Sequence, residues 1–188
     1  MRLHQLGFQA ITIMLGVSLI DLVTKKTYLL MIYLCGVVYL LLRNPNRIIN
    51  SKGIASPVSG TVSKVYRSRA ENHPVLCIEI TTTPLIDAQS FRLIPGEMPG
   101  SIKQEEHGQI AVYQSGIVVQ HFPRWNLFQR IAGDFTQLLG SSAAYGYSLF
   151  GACTQITMPS EFEEAVVEGQ RVIDSETIVA VKEEMCSV

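Results

Sequence analysis

Two stretches near the N-terminus are apolar around their whole circumference, whereas the rest of the chain alternates. LGFQAITIMLGVSLIDLV runs from Leu6 to Val23, and TYLLMIYLCGVVYLLL runs from Thr27 to Leu42, with Thr24, Lys25 and Lys26 between them. As helices rising about 1.5 Å per residue they would reach roughly 27 and 24 Å, slightly less than the ~30 Å hydrocarbon core of a bilayer. The pattern predicts a hydrophobic helical hairpin over residues 1–50, shallow or spanning. A cleaved signal peptide fits less well, because two runs flank a Lys-Lys turn and no small-residue cleavage site follows. Gln9, Thr12, Ser18 and Asp21 interrupt the first run, so a buried hairpin of a soluble protein is the alternative.

Beyond Ser51 the period changes to two. IASPVSGTVSKVY alternates around Val58, Val62 and Val65, and VLCIEITTT (75–83) has the β-branched content of a half-buried strand. QIAVYQSGIVVQHF (109–122) continues the pattern across a Ser-Gly interruption, and GYSLFGACTQITMP and VVEGQRVIDSETIVAV return to it. Only NLFQRIAGDFTQLL (126–139) has helical spacing, with Leu127, Ile131 and Phe135 on one face and Arg130 and Gln137 off it. The expectation is one mainly β domain over residues 51–188 with a minor α component.

Charge divides between the two parts. The first fifty residues hold five Lys/Arg and one Asp, leaving ten Lys/Arg and fifteen Asp/Glu in the body of this 188-residue chain. An acidic body argues against nucleic-acid binding. Arg43, Arg47 and Lys52 instead suit anionic headgroups, and Trp125 within HFPRW (121–125) suits an interface, although a loop anchoring the following helix is the better account of that stretch. With Arg2, these charges outnumber Lys25 and Lys26 in the turn, so the positive-inside rule places the body on the cytoplasmic face of a membrane. Cys35, Cys77, Cys153 and Cys186 form no C-x-x-C pair, and His4, His73, His107 and His121 are scattered, so neither a disulfide framework nor a metal site is expected. Glu161, Glu163, Glu164, Glu183 and Glu184 read as solvated faces.

Five short motifs in order carry more information than composition. LLLRNPNR (40–47) is similar to an apolar run followed by R-[DN]-P-x-R, and IASPVSGTV (54–62) to S-P-A-D-G-x-V. TPLIDAQSFRLIPGEMPGSI (83–102) is similar to S-P-x-D-V-H-x-N-R-x-P-x-x-G, LFGACTQITMP (149–159) to R-F-G-S-x-x-x-x-x-L-P, and VVEGQRVIDSETIVAV (166–181) to V-x-x-G-x-x-V-x-x-G-E-T-V-I-A. Together they resemble the short, membrane-anchored form of the phosphatidylserine decarboxylase family over nearly the whole chain. The resemblance implies a barrel-sandwich-like β domain behind an N-terminal hydrophobic hairpin, and a place in phosphatidylethanolamine metabolism.

In that family a serine attacks the preceding carbonyl, and β-elimination then leaves a pyruvoyl group that serves as electron sink for decarboxylation. The resemblance implies an aspartate, a histidine and the serine at three positions, which here are Ser59, Gln89 and Ala152. A methyl group has neither a nucleophile nor a leaving group, so Gly151-Ala152 is not expected to cleave and no cofactor is expected. The first reading is therefore a non-cleaving pseudoenzyme that binds a lipid membrane, with phosphatidylserine, a second copy or an active family member as candidate partners. The second is an active decarboxylase whose self-cleavage has moved to Cys153 or to Ser141 of LGSS, with His121 as substitute base; only then would a pyruvoyl group form. In an extended strand, however, a shift of one residue reverses the side-chain direction, which counts against Cys153. The third is a membrane adaptor with a biotinyl- or lipoyl-like body, although Lys64, Lys103 and Lys182 lack the exposed hairpin tip that a carrier lysine needs.

Overall fold

The alternating stretches of the body fold as strands whose inward side chains meet in one core. The structure, a computed structural model, describes residues 2–3, 16, 28–44, 47–50, 52–70, 73–84, 86–88, 90–105, 108–124, 144–148 and 150–182. Its strands are β1 (Arg2–Leu3), β2 (Arg43–Asn44), β3 (Ile54–Ala55), β4 (Gly60–Ala70), β5 (His73–Thr81), β6 (Ser90–Arg92), β7 (Pro99–Glu105), β8 (Gly108–Tyr113), β9 (Val118–Pro123), β10 (Ala144–Tyr147), β11 (Ala152–Pro159), β12 (Phe162–Glu164), β13 (Arg171–Val172) and β14 (Ile178–Lys182). A helix, α1, spans Tyr28–Leu42.

Seven strands form an antiparallel sheet in the order β13-β4-β5-β11-β9-β8-β7. Three more form β12-β14-β3, and β10 pairs with β6 as a short ribbon. The period-2 pattern decides which side chains enter the core. In β11, Ala152, Thr154, Ile156 and Met158 are buried, while Cys153, Gln155, Thr157 and Pro159 are partly exposed. Register then aligns Val62, Ile80, Thr154, His121 and Gln109 as one buried row across five adjacent strands. The β6–β10 ribbon covers the polar end of that row, where Phe91 stacks on the His121 ring with centroids 3.9 Å apart.

Strands appear in every body stretch where alternation predicts them. The stretch 83–102, read only as a motif, in addition supplies β6 and part of β7. All three β6 residues are buried, so the strand carries no alternation to betray it. The helix expected over 126–139 lies outside the described residues, as does the first apolar run apart from Gly16, which is helical.

The second apolar run forms α1, whose fifteen uncharged residues rise about 22 Å. No helix among the described residues is long and apolar enough to cross a membrane. Ile32, Tyr33, Leu34 and Tyr39 of α1 are exposed. β1 pairs antiparallel with β2, Arg2 opposite Asn44 and Leu3 opposite Arg43, so the segment between them leaves and returns at one place.

After β2 the chain is strapped to the body. The Asn50 N–H donates to the Ser175 carbonyl (2.9 Å), the Ile48 N–H to a Glu176 carboxylate oxygen (3.3 Å), and the Arg47 side chain reaches Asp174. The boundary expected near residue 50 therefore falls inside a segment bonded to the turn between β13 and β14.

Candidate functional site at the Gly151–Ala152 end of the sheet

The loop entering β11 makes a turn that requires glycine. Gly151 has φ +81°, and a Cβ there would run into the Thr82 carbonyl and approach the Pro84 ring to 3.1 Å. Its carbonyl accepts hydrogen bonds from Ser148 Oγ (2.9 Å) and the Arg124 N–H (3.2 Å). Two donors on one carbonyl oxygen would stabilise negative charge developing there during attack. No attacking group adjoins it from position 152, because the Ala152 methyl is fully buried in the core.

The Ala152 carbonyl accepts the Thr82 N–H at 2.9 Å, and Thr82 Oγ1 donates to the Ser59 carbonyl at 3.0 Å. Position 59 is thus two hydrogen bonds from position 152, although 93 residues separate them in sequence. Ser59 Oγ donates to the Asp174 carboxylate and accepts the Asp174 N–H (3.1 Å) and Arg47 Nη2 (3.2 Å). With one proton given and two accepted, this hydroxyl is saturated.

Asp174 is fully buried between two guanidinium groups. Arg47 approaches one carboxylate oxygen (Nη2 at 2.8 Å, Nε at 2.9 Å), and Arg92 Nε lies 2.5 Å from the other. Burial lowers the Arg92 pKa and Arg47 adds to that, while Asp174 opposes it. Arg92 nevertheless stays charged at any pH the protein meets. The turn around Asp174 is also strained, since Ser175 is a non-glycine residue with φ 64°. Its N–H donates to the Ser56 carbonyl (2.8 Å), and its carbonyl takes the Asn50 N–H. A carboxylate therefore lies against Ser59, at the position where the sequence supplies none, but both its oxygens are occupied by arginines.

His121 is the second polar centre. It is fully buried, with Nδ1 2.8 Å from Thr154 Oγ1 and Nε2 bonded to the Tyr145 hydroxyl. Burial depresses its pKa to about 3, so the ring is neutral. Both ring nitrogens are engaged and Phe91 covers one face, so no nitrogen is left to take a proton from a reacting group. His121 and Ala152 nonetheless share the inward face, because Thr154, two residues beyond Ala152, pairs directly with His121. Beside it, Gln109 is opposite His121 in register and only 1% exposed, and among the described residues its amide has no hydrogen-bond partner, nor has Ser90 Oγ under the ribbon.

Cys153 faces the other side of the sheet, opposite Phe122 in register. Burial, with Glu79 adding, raises its thiol pKa and keeps it protonated. Lys52 is exposed, and only the backbone of Arg43 is described. Gln89, Trp125 and Ser141 lie outside the described residues. Arg47 is bonded inward rather than turned to solvent. No group of three or more His, Cys, Asp or Glu that could hold a metal ion occurs among the described residues.

Sequence reasoning singled out Ser59, Gly151 and Ala152 but missed Asp174, Arg92, Ser148 and Arg124. The available signal for Asp174 was the acidic residue that follows the apolar Val172-Ile173 pair in the fifth motif; for Arg92 it was the arginine of the third motif. Comparisons with family models, with curated proteins and with solved structures gave no match to this chain.

Proposed function

We propose that this chain is a membrane-anchored, phosphatidylserine decarboxylase-like protein of phospholipid metabolism that keeps the fold of its family and has given up self-cleavage. One observation carries the reading: the five motif stretches, dispersed from residue 40 to residue 181, converge through Arg47, Ser59, Thr82, Arg92, Gly151, Ala152 and Asp174 at one end of the β domain. Gly151 has a positive φ and a carbonyl that receives two hydrogen bonds, while its neighbour is a buried methyl. Cys153 is unsuited to replace it, pointing away with a raised thiol pKa.

The membrane part of the proposal draws on the apolar, uncharged α1 and on the β1–β2 pairing, which returns the chain to its starting point as a hairpin does. Arg2 and Arg43 then lie on one side, consistent with a body at the cytoplasmic face. In this reading the body binds lipid without turnover.

The test is the intact mass of the unmutated protein extracted from membranes. A single uncleaved species with an ordinary N-terminus is expected. Two chains, the second beginning with a pyruvoyl group at Ser141 or Cys153, would replace this proposal with an active enzyme whose cleavage site has moved.

A further inference from the structure

The strap after α1 carries two isoleucines that the body leaves in the open. Ile48 is 81% exposed and Ile49 52% exposed, and Ile173, at the start of the turn to which the strap is bonded, is 37% exposed. Single exposed apolar side chains are ordinary on protein surfaces. This pair differs because its backbone is fixed on both sides, through the Ile48 N–H to Glu176 and the Asn50 N–H to Ser175, with Arg47 locked onto Asp174. The isoleucines are therefore held out rigidly and do not depend on a loose loop for their exposure.

We infer that the strap Arg47–Asn50 is a membrane-contacting lip, whose Ile48 and Ile49 enter the headgroup boundary of an anionic bilayer and hold the Gly151–Ala152 end of the body against it. This rests on reading the apolar N-terminal segment as a membrane anchor. Continuity with that segment names the occupant. α1 ends six residues before Ile48, so Ile48 stays within about 20 Å of the helix end even if the chain between is fully extended. Arg43 and Lys52 bracket the strap in sequence and match anionic headgroups, while Arg47, the remaining cation, is neutralised inside the body.

The lip is also connected to the candidate site. Arg47 reaches Ser59 and Asp174, the Ser59 carbonyl holds Thr82, and the Thr82 N–H holds Ala152. A strap seated at the lipid surface thereby fixes which end of the sheet faces it. The far tip of the β4–β5 hairpin, at His73, lies roughly 30 Å along β4 from Gly60 and would remain in water.

The experiment uses the full chain with its single tryptophan removed by Trp125→Phe and a new one introduced by Ile48→Trp or, as control, His73→Trp. Both positions are exposed, so neither substitution disturbs the core. Each protein is reconstituted into vesicles of phosphatidylcholine with a minor share of phosphatidylserine, floated on a density gradient, and its emission recorded with and without bromine on the acyl chains. The Ile48→Trp protein should float, shift its emission to the blue and lose roughly half its intensity to brominated lipid, as expected for a side chain about 5–10 Å into the headgroup boundary. The His73→Trp protein should float and show neither change. Flotation with no quenching at position 48 overturns the lip and leaves the anchor standing, and so does equal quenching at both positions. Failure to float overturns the anchor and the lip together.

Discussion

Two buried polar clusters in this domain, one around Asp174 and one around His121, solve the same problem in opposite ways. Around Asp174 every group is charged or bonded to a charge, and the cluster joins residues far apart in the chain, from Arg47 to Asp174. Around His121 every group is neutral, and the cluster joins the β6–β10 ribbon to the sheet through Phe91 and Tyr145. Charge in a dry interior is tolerated only when paired, so the first cluster should fail sharply when one partner is removed. A neutral histidine is tolerated as long as it need not be protonated, so the second should fail gradually with acid. The difference separates a clamp from a filler: the Asp174 cluster holds the strap to the site, whereas the His121 cluster fills the space beneath the ribbon.

The largest effect is expected from Asp174→Ala. It leaves the Arg47 and Arg92 guanidinium groups facing one another without their shared carboxylate, and should cost about 3–5 kcal/mol. The urea midpoint of the full chain in detergent measures this. A loss below about 1 kcal/mol would show that water reaches the two arginines and that the cluster is not the clamp described above.

The His121 cluster is broken by pH rather than by deletion. An unfolded histidine takes up its proton near pH 6.5, and His121 in the folded protein does so only near pH 3. Between these values the unfolded chain holds the extra proton, so stability rises with pH. The contribution is complete above about pH 6.5 and is lost as pH falls toward 3, at about 1.4 kcal/mol per pH unit. His121→Gln should be less stable at neutral pH but should lose this part of the acid dependence. Parallel urea-midpoint curves for the two proteins between pH 6.5 and 4.5 would mean that His121 is protonated without unfolding.

The contrast between the clusters also explains what could be read in advance. Alternation is local, so the strands around Val62, Ile80 and Ile156, and the opposite facings of Ala152 and Cys153, follow from a period-2 pattern within a few residues. The Asp174 cluster is wholly nonlocal, with partners 115 and 127 residues apart, and no periodicity encodes which arginine meets which carboxylate. Arg47 shows the consequence. Its neighbours in sequence predict a juxtamembrane cation, while its neighbours in space make it an internal ion-pair partner. Similarly, HFPRW leaves open whether His121 is packed or at the surface, and only register places it opposite Gln109 and Thr154 in the core.

The smallest effect, and the most informative about chemistry, is expected from Cys153→Ser. The side chain lies on the partly exposed face of β11, next to Phe122 in register and away from the core that Ala152 enters, so the change should stay within about 0.5 kcal/mol of the parent. Replacing sulfur by oxygen there retains a hydroxyl nucleophile in form, yet it faces the wrong side of the strand to receive the acyl group of a peptide whose carbonyl is held by Ser148 and Arg124. The intact mass should therefore be that of the uncleaved chain before and after the substitution, and alkylation should modify position 153 only in the parent. If the parent is found in two pieces and Cys153→Ser slows or abolishes their formation, the sheet must open at its Gly151 end far enough for Cys153 to turn inward. The clamp that Asp174 provides would then be a brake on that opening, and Asp174→Ala would accelerate cleavage instead of merely destabilising the fold.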